Sequence, residues 1–504
     1  MFPISQILPR ARALYADRLA ISDGELRFTF EELGNRVDAL VGGLKSKGLQ
    51  PGDRIAILDV NSYRYAEMYY ACAQAGFILL PLNSRLAPLE LKFVLEDSGA
   101  KALVVTEPFF ETAEGLTIDV LIKDYDALIA SAPPDTHVAD AALDDIVQIY
   151  YTSGTTGEPK GVCLTHRNMV ASAFDSIVAA ELGQNDIWLH AAPMFHLVDA
   201  WALWSMPLLG AAQVMVHFAP EKMMEVVQKA KPTAVALPPT LINMIINHPK
   251  VHDYDLSSLR LIMYGGSPAP LGVLQKAVEV IPTSYLQAYG TTETSGMTAL
   301  ASACDFHVTG TAEQQALTSN AGRPVPHIRL EIFDDNAQPL PRGQVGEVVI
   351  SGARVMKEYW NKPEHTAEAL KDGWYHTGDV GYVDDAGRLF IVDRKKDMII
   401  SGGENVYSVE VESLISQHPA VLEVAVIGVP DKQWGEAVKA IVVARDGTFV
   451  TAEDIVDFCR GKIAGYKIPK SFDFSQTPLP KTGPGKIAKR HLRNQYWAGS
   501  ERAL

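Results

Sequence analysis

The segment that most constrains this chain is a β-rich run followed directly by a loop of small residues. Residues 146–151, Ile-Val-Gln-Ile-Tyr-Tyr, have the composition of a strand, and residues 152–157 are all Thr, Ser or Gly. Such a loop offers many backbone N–H groups and hydroxyls with little bulk, as a bound triphosphate requires. The Gly-Lys-Ser/Thr ending of a Walker loop is missing, so helix-seated phosphate binding of that kind is not indicated.

Composition limits the class of protein. A chain of 504 residues is too long for one core, so two or more domains are predicted. The net charge of −15 argues against nucleic acid as the main partner. The four cysteines show neither metal-ligand nor disulfide spacing, and we find no signal-peptide pattern and no apolar run long enough for a transmembrane segment. We therefore expect a cytoplasmic protein.

Strand and helix patterns alternate through the first 150 residues, and residues 232–240 and 259–265 repeat that pattern. Thr29 to Glu32 form a capping box that opens a helix ending near Gly48, and residues 54–58 and 101–106 are predicted strands. Alternation of this kind indicates βαβ units and a largely parallel sheet. After about residue 320, short strands separated by turns predict a β-rich subdomain.

The last hundred residues have the pattern of a small α/β domain. A charged run, residues 393–397, lies between two predicted strands and is interpreted as a solvated turn. We place the domain boundary here. The predicted fold is α/β: a large N-terminal domain, 1–393, with βαβ-type sheets and a β-rich subdomain, and a small mobile C-terminal domain, 394–504.

With its motifs in order, the chain resembles the adenylate-forming superfamily of acyl-CoA synthetases, luciferases and peptide-synthetase adenylation domains, closest to fatty-acyl or aryl acid–CoA ligases. The resemblance covers nearly the whole chain. It is carried by eight motifs: residues 151–161, 193–196 (Pro-Met-Phe-His), 264–267 (Tyr-Gly-Gly-Ser), 289–293 (Tyr-Gly-Thr-Thr-Glu), 377–379 (Thr-Gly-Asp), 393–397, 402–407 (Gly-Gly-Glu-Asn-Val-Tyr) and 480–486 (Pro-Lys-Thr-Gly-Pro-Gly-Lys).

The resemblance implies a two-step reaction. A carboxylate attacks the α-phosphorus of ATP to give acyl-AMP and pyrophosphate, and a thiol then releases AMP. It implies an acid–thiol ligase that uses ATP, Mg²⁺ and CoA, with a small carboxylic acid as partner, acting as a monomer or homodimer. Two alternatives stay open: an enzyme that loads a separate carrier protein, and a luciferase-like oxygenase. Retention of Lys486, Glu293 and Asp379 argues against a non-catalytic binding module.

The resemblance also assigns the ATP site. Tyr289 would lie against adenine, Asp379 would accept hydrogen bonds from the ribose hydroxyls, and Arg394 would add a ribose or phosphate contact. The remaining residues expected to bind ATP are Thr152, Ser153, Gly154, Thr155, Thr156, Gly157, Lys160, Gly265, Gly266, Ser267 and Gly290.

The expected catalytic residues are Lys486, Glu293, Thr292 and His196. Lys486 would neutralise charge at the carboxylate and α-phosphate in the transition state. Glu293 would be an oxygen ligand for Mg²⁺ together with Thr156, and Thr292 would bind the α-phosphate. His196 would contact the carboxylate or gate the acid pocket.

In the C-terminal region, Lys396 is the expected hinge. Gly402 and Gly403 would line the channel for the thiol arm because glycines permit close backbone approach, and Trp434 would contact CoA. A partly buried core position is an equally supported alternative for Trp434.

Asp199, Trp201 and Trp204 are assigned to the acid pocket, although core packing is at least as well supported for the two tryptophans. No Arg or Lys occurs in the segments expected to line this pocket, which disfavours dicarboxylates. The simplest substrate is a fatty or aromatic monocarboxylate, which predicts a role in fatty acid metabolism. Asp199 leaves open a small cationic, betaine-like acid.

Overall fold

The computed structural model describes residues 1–152, 159–267, 269–402, 404–431, 433–481 and 487–497. The α-helices in these ranges are α1 (Ile7–Tyr15), α2 (Phe30–Ser46), α3 (Tyr63–Ala75), α4 (Pro88–Ser98), α5 (Phe110–Glu114), α6 (Tyr125–Ala130), α7 (His166–Ala179), α8 (Ala202–Leu209), α9 (Pro220–Ala230), α10 (Pro239–Ile246), α11 (Leu271–Val280), α12 (Ala312–Leu317), α13 (Pro363–Ala369), α14 (Ser408–Ile415), α15 (Ala452–Cys459) and α16 (Lys489–Asn494). Short 3-10 helices occur at Ile4–Gln6, Glu107–Phe109, Val251–Asp253, Thr292–Thr294, Ala303–Asp305 and Gly465–Lys467.

The strands in the same ranges are β1 (Leu19–Asp23), β2 (Leu26–Thr29), β3 (Arg54–Leu58), β4 (Ile78–Pro81), β5 (Ala102–Val105), β6 (Val120–Ile122), β7 (Ile146–Thr152), β8 (Lys160–Thr165), β9 (Ile187–His190), β10 (Ala212–Met215), β11 (Ala234–Ala236), β12 (Leu261–Gly265), β13 (Ser284–Thr291), β14 (Gly296–Leu300), β15 (Arg323–Pro324), β16 (Ile328–Phe333), β17 (Gly346–Gly352), β18 (Glu358–Tyr359), β19 (Leu370–Lys371), β20 (Trp374–Val383), β21 (Leu389–Arg394), β22 (Ile399–Ser401), β23 (Glu404–Val406), β24 (Val421–Asp431), β25 (Gly435–Ala444) and β26 (Ser471–Ser475).

Two mixed sheets dominate the N-terminal part. The larger sheet has the order β15-β14-β13-β12-β11-β9-β10-β1-β2, and the second sheet has the order β18-β8-β7-β4-β3-β5-β6. Their central strands are parallel, while β2, β14 and β15 in the first and β8 and β18 in the second pair antiparallel. The predicted parallel arrangement is therefore confirmed for the centres of both sheets, with antiparallel strands at the margins.

The main core lies between these sheets. Buried apolar residues of α2, α3, α7 and α8 form one cluster with alternate residues of β3 and β9. The opposite face of the larger sheet packs on α9, α10 and α11, and that of the second sheet packs on α4. Helix α2 begins as predicted, because the Thr29 side chain accepts from the Glu32 amide and Glu32 reciprocates.

A third sheet, which is antiparallel, agrees with the predicted β-rich subdomain. The order is β16-β17-β20-β19, and β21 pairs with β20. The last part forms a separate sheet, β23-β22-β25-β24, with β26 paired in parallel to β25 and a core against α14 and α15. The predicted α/β fold class is confirmed. Among the described residues, no helix is both long and apolar enough to cross a membrane.

Candidate active site

Strands β13, β20 and β21 bring three predicted residues into one hydrogen-bonded group. The Tyr289 hydroxyl donates to Asp379 Oδ2 at 2.7 Å, and Arg394 Nε pairs with Asp379 Oδ1 at 2.9 Å. Asp379 and Arg394 are partners in the β20–β21 ladder, which explains their proximity. The Asp379 carboxylate raises the pKa of Arg394, whereas burial is the main cause of the raised pKa of Tyr289. The group thus holds a fixed carboxylate beside a permanent cation.

Glu293 lies on the short turn that follows β13. Residues Thr292–Thr294 form a single 3-10 turn, and both Thr292 and Glu293 are half-buried. The Tyr359 hydroxyl donates to Glu293 Oε1 at 2.9 Å. Burial and then the Glu293 charge raise the pKa of Tyr359, so the phenol stays a donor at neutral pH. The carboxylate is held by one oxygen and keeps further lone pairs for a hard cation.

Tyr375 connects the Glu293 turn with the Asp379 group. It is buried on β20; burial raises its pKa, and the nearby carboxylates of Glu293 and Asp379 raise it further. The two predicted carboxylates therefore belong to one electrostatic neighbourhood. Sequence reasoning missed Tyr359 and Tyr375, since both are remote in the chain from Glu293.

Strands β7 and β8, which flank the Ser/Thr/Gly loop, lie near the Glu293 turn. Thr152 at the end of β7 pairs with Lys160 at the start of β8. Lys160 Nζ lies 5.2 Å from the centre of the Tyr359 ring. Burial lowers the pKa of Lys160, and Glu293 counteracts part of that effect. The predicted loop residues Ser153, Gly154, Thr155, Thr156 and Gly157 lie outside the described residues.

Close backbone packing explains two predicted glycines. A Cβ atom on Gly265 would lie 2.2 Å from the Ala288 carbonyl oxygen, and one on Gly290 would lie 1.9 Å from the Gly296 carbonyl oxygen. Both positions exclude any side chain. Gly266 and Ser267 follow at the carboxyl end of β12, where parallel sheets commonly bind ligands.

His196 is half-buried on the segment between β9 and α8. Its ring centre lies 4.6 Å from that of Phe195. The following residues, Leu197 and Val198, approach Gly296 and Gly266 respectively. This segment therefore lies against the ends of β12 and β14, next to the turn that carries Glu293.

Asn61 is a functional candidate that sequence reasoning missed. Its amide nitrogen donates to the carbonyl oxygens of His190 (2.9 Å) and Ala192 (2.7 Å), and its Oδ1 accepts from the Met194 amide at 2.9 Å. These bonds fix the segment that leads to His196. The available signal was a polar residue shortly after β3, at the carboxyl end of a parallel strand.

The three residues expected to line the acid pocket are buried in the core instead. Asp199 is fully buried; Trp188 Nε1 donates to its Oδ1 at 2.9 Å, and His190 Nδ1 lies 2.6 Å from its Oδ2. Trp201 and Trp204 are also buried, Trp201 against Trp188. Asp199 has no accessible surface and binds two protein donors, so it serves the core together with the two tryptophans.

Replacement of Asp199 by alanine is expected to destabilise the protein by about 3 kcal/mol, because two buried donors lose their acceptor at roughly 1–3 kcal/mol each. Urea unfolding followed by tryptophan fluorescence measures the loss. The control is Asp255→Ala, which removes an exposed ion pair with Lys231 and should change stability little. A stable Asp199→Ala protein that loses activity with betaine-like acids alone would instead restore Asp199 to the acid pocket.

The charged run is only partly a solvated turn. Asp393 is buried, where Ser408 donates to it from both backbone and side chain, so the expectation of a solvated residue was wrong there. Burial and the neighbouring Arg394 lower the pKa of Lys396 to about 8. Arg493 Nη1 donates to the Lys396 carbonyl oxygen at 2.9 Å. The predicted hinge therefore lies beside α14 and α16.

Gly402 and Trp434 are neighbours. The Gly402 amide donates to the Trp434 carbonyl oxygen at 2.8 Å, and a Cβ atom on Gly402 would lie 2.6 Å from the indole ring. Trp434 is 38% exposed, and Lys470 Nζ lies 3.8 Å from the centre of its ring. The indole ring is therefore partly covered by the protein and partly accessible. Gly403 and Lys486 lie outside the described residues.

Comparison with known proteins identifies the family. The family model described as "AMP-binding enzyme" matches residues 8–360, and "AMP-binding enzyme C-terminal domain" matches residues 410–486. The chain is 40% identical to a feruloyl-CoA synthase of Amycolatopsis sp over 95% of this chain and 96% of that protein. It is 37% identical to the fatty acid–[acyl-carrier-protein] ligase ScoC of Streptomyces coeruleorubidus, over 94% and 93%.

A solved structure shows the same fold. The anthranilate CoA ligase AuaEII in complex with anthranoyl-AMP superposes with a TM-score of 0.89 at 26% identity, covering 98% of this chain and 97% of that one. The chain belongs to the AMP-binding enzyme family. It is an ATP-dependent, AMP-forming acid–thiol ligase, so the predicted adenylate-forming class is confirmed.

Proposed function

We propose that this enzyme joins an apolar monocarboxylic acid to CoA through an acyl-adenylate. The observation that carries the proposal is the single neighbourhood in which Asp379, Arg394 and Tyr289 meet the Glu293 turn through Tyr375. A nucleotide needs a ribose acceptor, an aromatic surface and groups that face its phosphates. This neighbourhood offers all three.

ATP is held by the residues of this group. Asp379 accepts hydrogen bonds from both ribose hydroxyls with its two oxygens, which now accept from Tyr289 and Arg394. Tyr289 lies against adenine, and Arg394 contacts the ribose or a phosphate. Thr292, Lys160 and the loop at 152–157 face the phosphates, while Gly265, Gly266, Ser267 and Gly290 leave room for the nucleotide.

Glu293 fits a Mg²⁺ ion that arrives with ATP. Its carboxylate is a hard oxygen ligand, half-buried, and held at one oxygen by Tyr359. When bound, the ion would neutralise phosphate charge. Thr156 is proposed as a second oxygen ligand. Within the described ranges, no group of three or more His, Cys, Asp or Glu side chains forms a metal site.

The reaction follows in two steps. The acid's carboxylate oxygen bonds to the α-phosphorus, and the bond from that phosphorus to the bridging oxygen breaks to release pyrophosphate. Lys486 stabilises the charge that develops on the α-phosphoryl oxygens, and His196 contacts the carboxylate. In the second step the thiol sulfur attacks the acyl carbon, and AMP departs. Lys396 serves as the hinge for the movement of the C-terminal domain between the steps.

The acid pocket is proposed to accept an aromatic or fatty tail. Segments 196–206, 264–267 and 286–298 contain no Lys or Arg. Arg354 approaches Ser295 from behind, but it has no exposed surface and pairs with Asp175. A second carboxylate would therefore lack a partner. Relatives are named for feruloyl-CoA, anthranilate, fatty acids and 2-succinylbenzoate, which supports an acid with an aromatic or fatty part.

CoA is the preferred acceptor because Trp434 is exposed beside Lys470, an aromatic surface and a cation suited to a phosphorylated adenosine. Gly402 and Gly403 provide close approach for the thiol arm. A carrier protein is the second candidate, since one relative is named as a ligase for the acyl-carrier protein.

Trp434→Ala is expected to raise KM for CoA about 10-fold, because stacking on a nucleobase contributes roughly 1–3 kcal/mol. Acid-dependent pyrophosphate release without CoA should be unchanged. The control is Phe449→Ala, which removes another exposed aromatic side chain of the same domain. An unchanged KM for CoA would remove Trp434 from the CoA site.

The four cysteines are free thiols, which supports a reducing compartment such as the cytoplasm. We propose a monomer or homodimer, to be resolved by light scattering. The substrate class is tested by acid-dependent exchange of labelled pyrophosphate into ATP with cinnamates, benzoates, fatty acids, dicarboxylates and betaines. Exchange with aromatic or fatty acids supports the proposal. Exchange confined to dicarboxylates or betaines would contradict it.

A further inference from the structure

Arg354 is a fully buried cation behind the Glu293 turn. Its Nη2 donates to the Ser295 carbonyl oxygen at 3.0 Å and to Ser172 Oγ at 2.9 Å. Its Nη1 lies 3.5 Å from Asp175 Oδ2, and Asp175 is only 1% exposed. Since Arg354 has no accessible surface, it meets neither substrate nor solvent. Any effect on the reaction must pass through the residues that it touches.

Ser295 is the residue that this arrangement holds. It ends the 3-10 turn that carries Glu293, and its φ of +56° lies in the left-handed region that non-glycine residues seldom adopt. Its carbonyl oxygen accepts from Arg354 and, at 2.9 Å, from Ser172 Oγ, while its own hydroxyl donates to the Arg354 carbonyl oxygen at 2.8 Å. Such a conformation persists where the surroundings over-determine it.

The segment around Arg354 is itself anchored. Asn168 Nδ2 donates to the carbonyl oxygens of Ala353 (2.9 Å) and Val355 (2.8 Å). The Met356 amide donates to the Glu293 carbonyl oxygen at 2.7 Å. Helix α7 thus supports residues 353–356, and these residues hold the Glu293 carbonyl oxygen and Ser295.

Burial of the Arg354 cation behind the Glu293 turn costs desolvation free energy. Burial lowers the pKa of Arg354 to about 10, and Asp175 offsets part of that effect. Among the described residues, Arg354 Nε and Nη1 have no hydrogen-bond partner. An apolar side chain would often be at least as stable in such a place, so stability alone does not account for the arginine. The hydrogen bond that Arg354 donates to the Ser295 carbonyl oxygen accounts for the arginine.

We propose that Ser172, Asp175 and Arg354 form a brace that keeps Ser295 left-handed and thereby aims the Glu293 carboxylate at the metal–nucleotide. Arg354 is a positioning residue in this account. The inference rests on the proposed role of Glu293 in binding Mg²⁺.

The test is a Mg²⁺ titration at fixed ATP without the acid, read as the rise in thermal midpoint of the protein. For Arg354→Met, which keeps an unbranched side chain as far as the position of Nε, we expect the half-saturating Mg²⁺ concentration to rise about 10-fold, as for loss of a residue that orients a metal ligand. Arg354→Met/Asp175→Asn removes both buried charges and serves if the single variant does not fold. The matched control is Arg36→Met, which breaks a buried pair with Glu67 in α3 and should leave the Mg²⁺ dependence unchanged.

A second variant separates positioning from simple stability. Glycine adopts positive φ without cost, so Arg354→Met/Ser295→Gly should restore the Mg²⁺ dependence to within about 3-fold of wild type, although it restores no hydrogen bond. Unchanged Mg²⁺ dependence in folded Arg354→Met, or a shift that Ser295→Gly does not reverse, would overturn the brace. Wild-type protein that shows neither Mg²⁺-dependent stabilisation nor pyrophosphate exchange would contradict the proposed function and the brace with it.

Discussion

Lys486→Ala is expected to reduce acyl-adenylate formation about 100- to 1,000-fold, because the transition state loses a positioned cation at the α-phosphate. Thioester formation from supplied acyl-AMP should continue near the wild-type rate, since the phosphorus chemistry is then complete. Single-turnover assays of the two half-reactions measure these rates separately.

The matched control for this variant is Lys481→Ala. Lys481 belongs to the same motif but pairs with Glu423 at 2.5 Å. Its loss should leave both half-reactions nearly unchanged. Equal loss of both half-reactions in Lys486→Ala would contradict the adenylation role, and so would an equal effect of Lys481→Ala.

Asp379→Ala is expected to lower kcat/KM for ATP at least about 100-fold. Two charge-assisted hydrogen bonds to the ribose disappear, each contributing roughly 1.5–3 kcal/mol, and Arg394 loses the carboxylate that orients it. Initial rates of pyrophosphate release at varied ATP measure the effect. The KM for the acid should change far less, because Asp379 is assigned to the nucleotide.

Asp384→Ala is the control for loss of a carboxylate elsewhere in the β20–β21 hairpin. Asp384 lies just after β20 and pairs with Arg388 at 2.7 Å, away from the Tyr289 group. It should leave kcat/KM for ATP within about 3-fold of wild type, because this partly buried ion pair is not part of the Tyr289 group. If Asp379→Ala affects ATP no more than Asp384→Ala does, the ribose assignment is wrong.

Features set by neighbours in the chain were predictable from the sequence. The capping box at Thr29 predicted the start of α2, and the strands at Arg54–Leu58 and Ala102–Val105 were predictable from composition and flanking turns. Each of these signals acts over a few residues, within reach of propensity and capping rules.

Features that depend on distant contacts were not predictable. Tyr359 reaches Glu293 across 66 positions of sequence, and Arg354 reaches Ser172 across 182. Asp199 stands beside His196 in the sequence, which suggested the acid pocket. Its actual partners, Trp188 and His190, are set by the path of the chain between β9 and α8. A motif identifies residue types, whereas the side on which each one packs depends on the assembled sheets.

The most direct test of the central claim is product analysis with the best acid, MgATP and CoA. We predict equal amounts of AMP, pyrophosphate and acyl-CoA over many turnovers, and only bound acyl-AMP with one equivalent of pyrophosphate when CoA is omitted. Pyrophosphate that stops at one equivalent in the presence of CoA would contradict CoA as the acceptor and favour a carrier protein. No pyrophosphate with any acid would contradict acid activation itself.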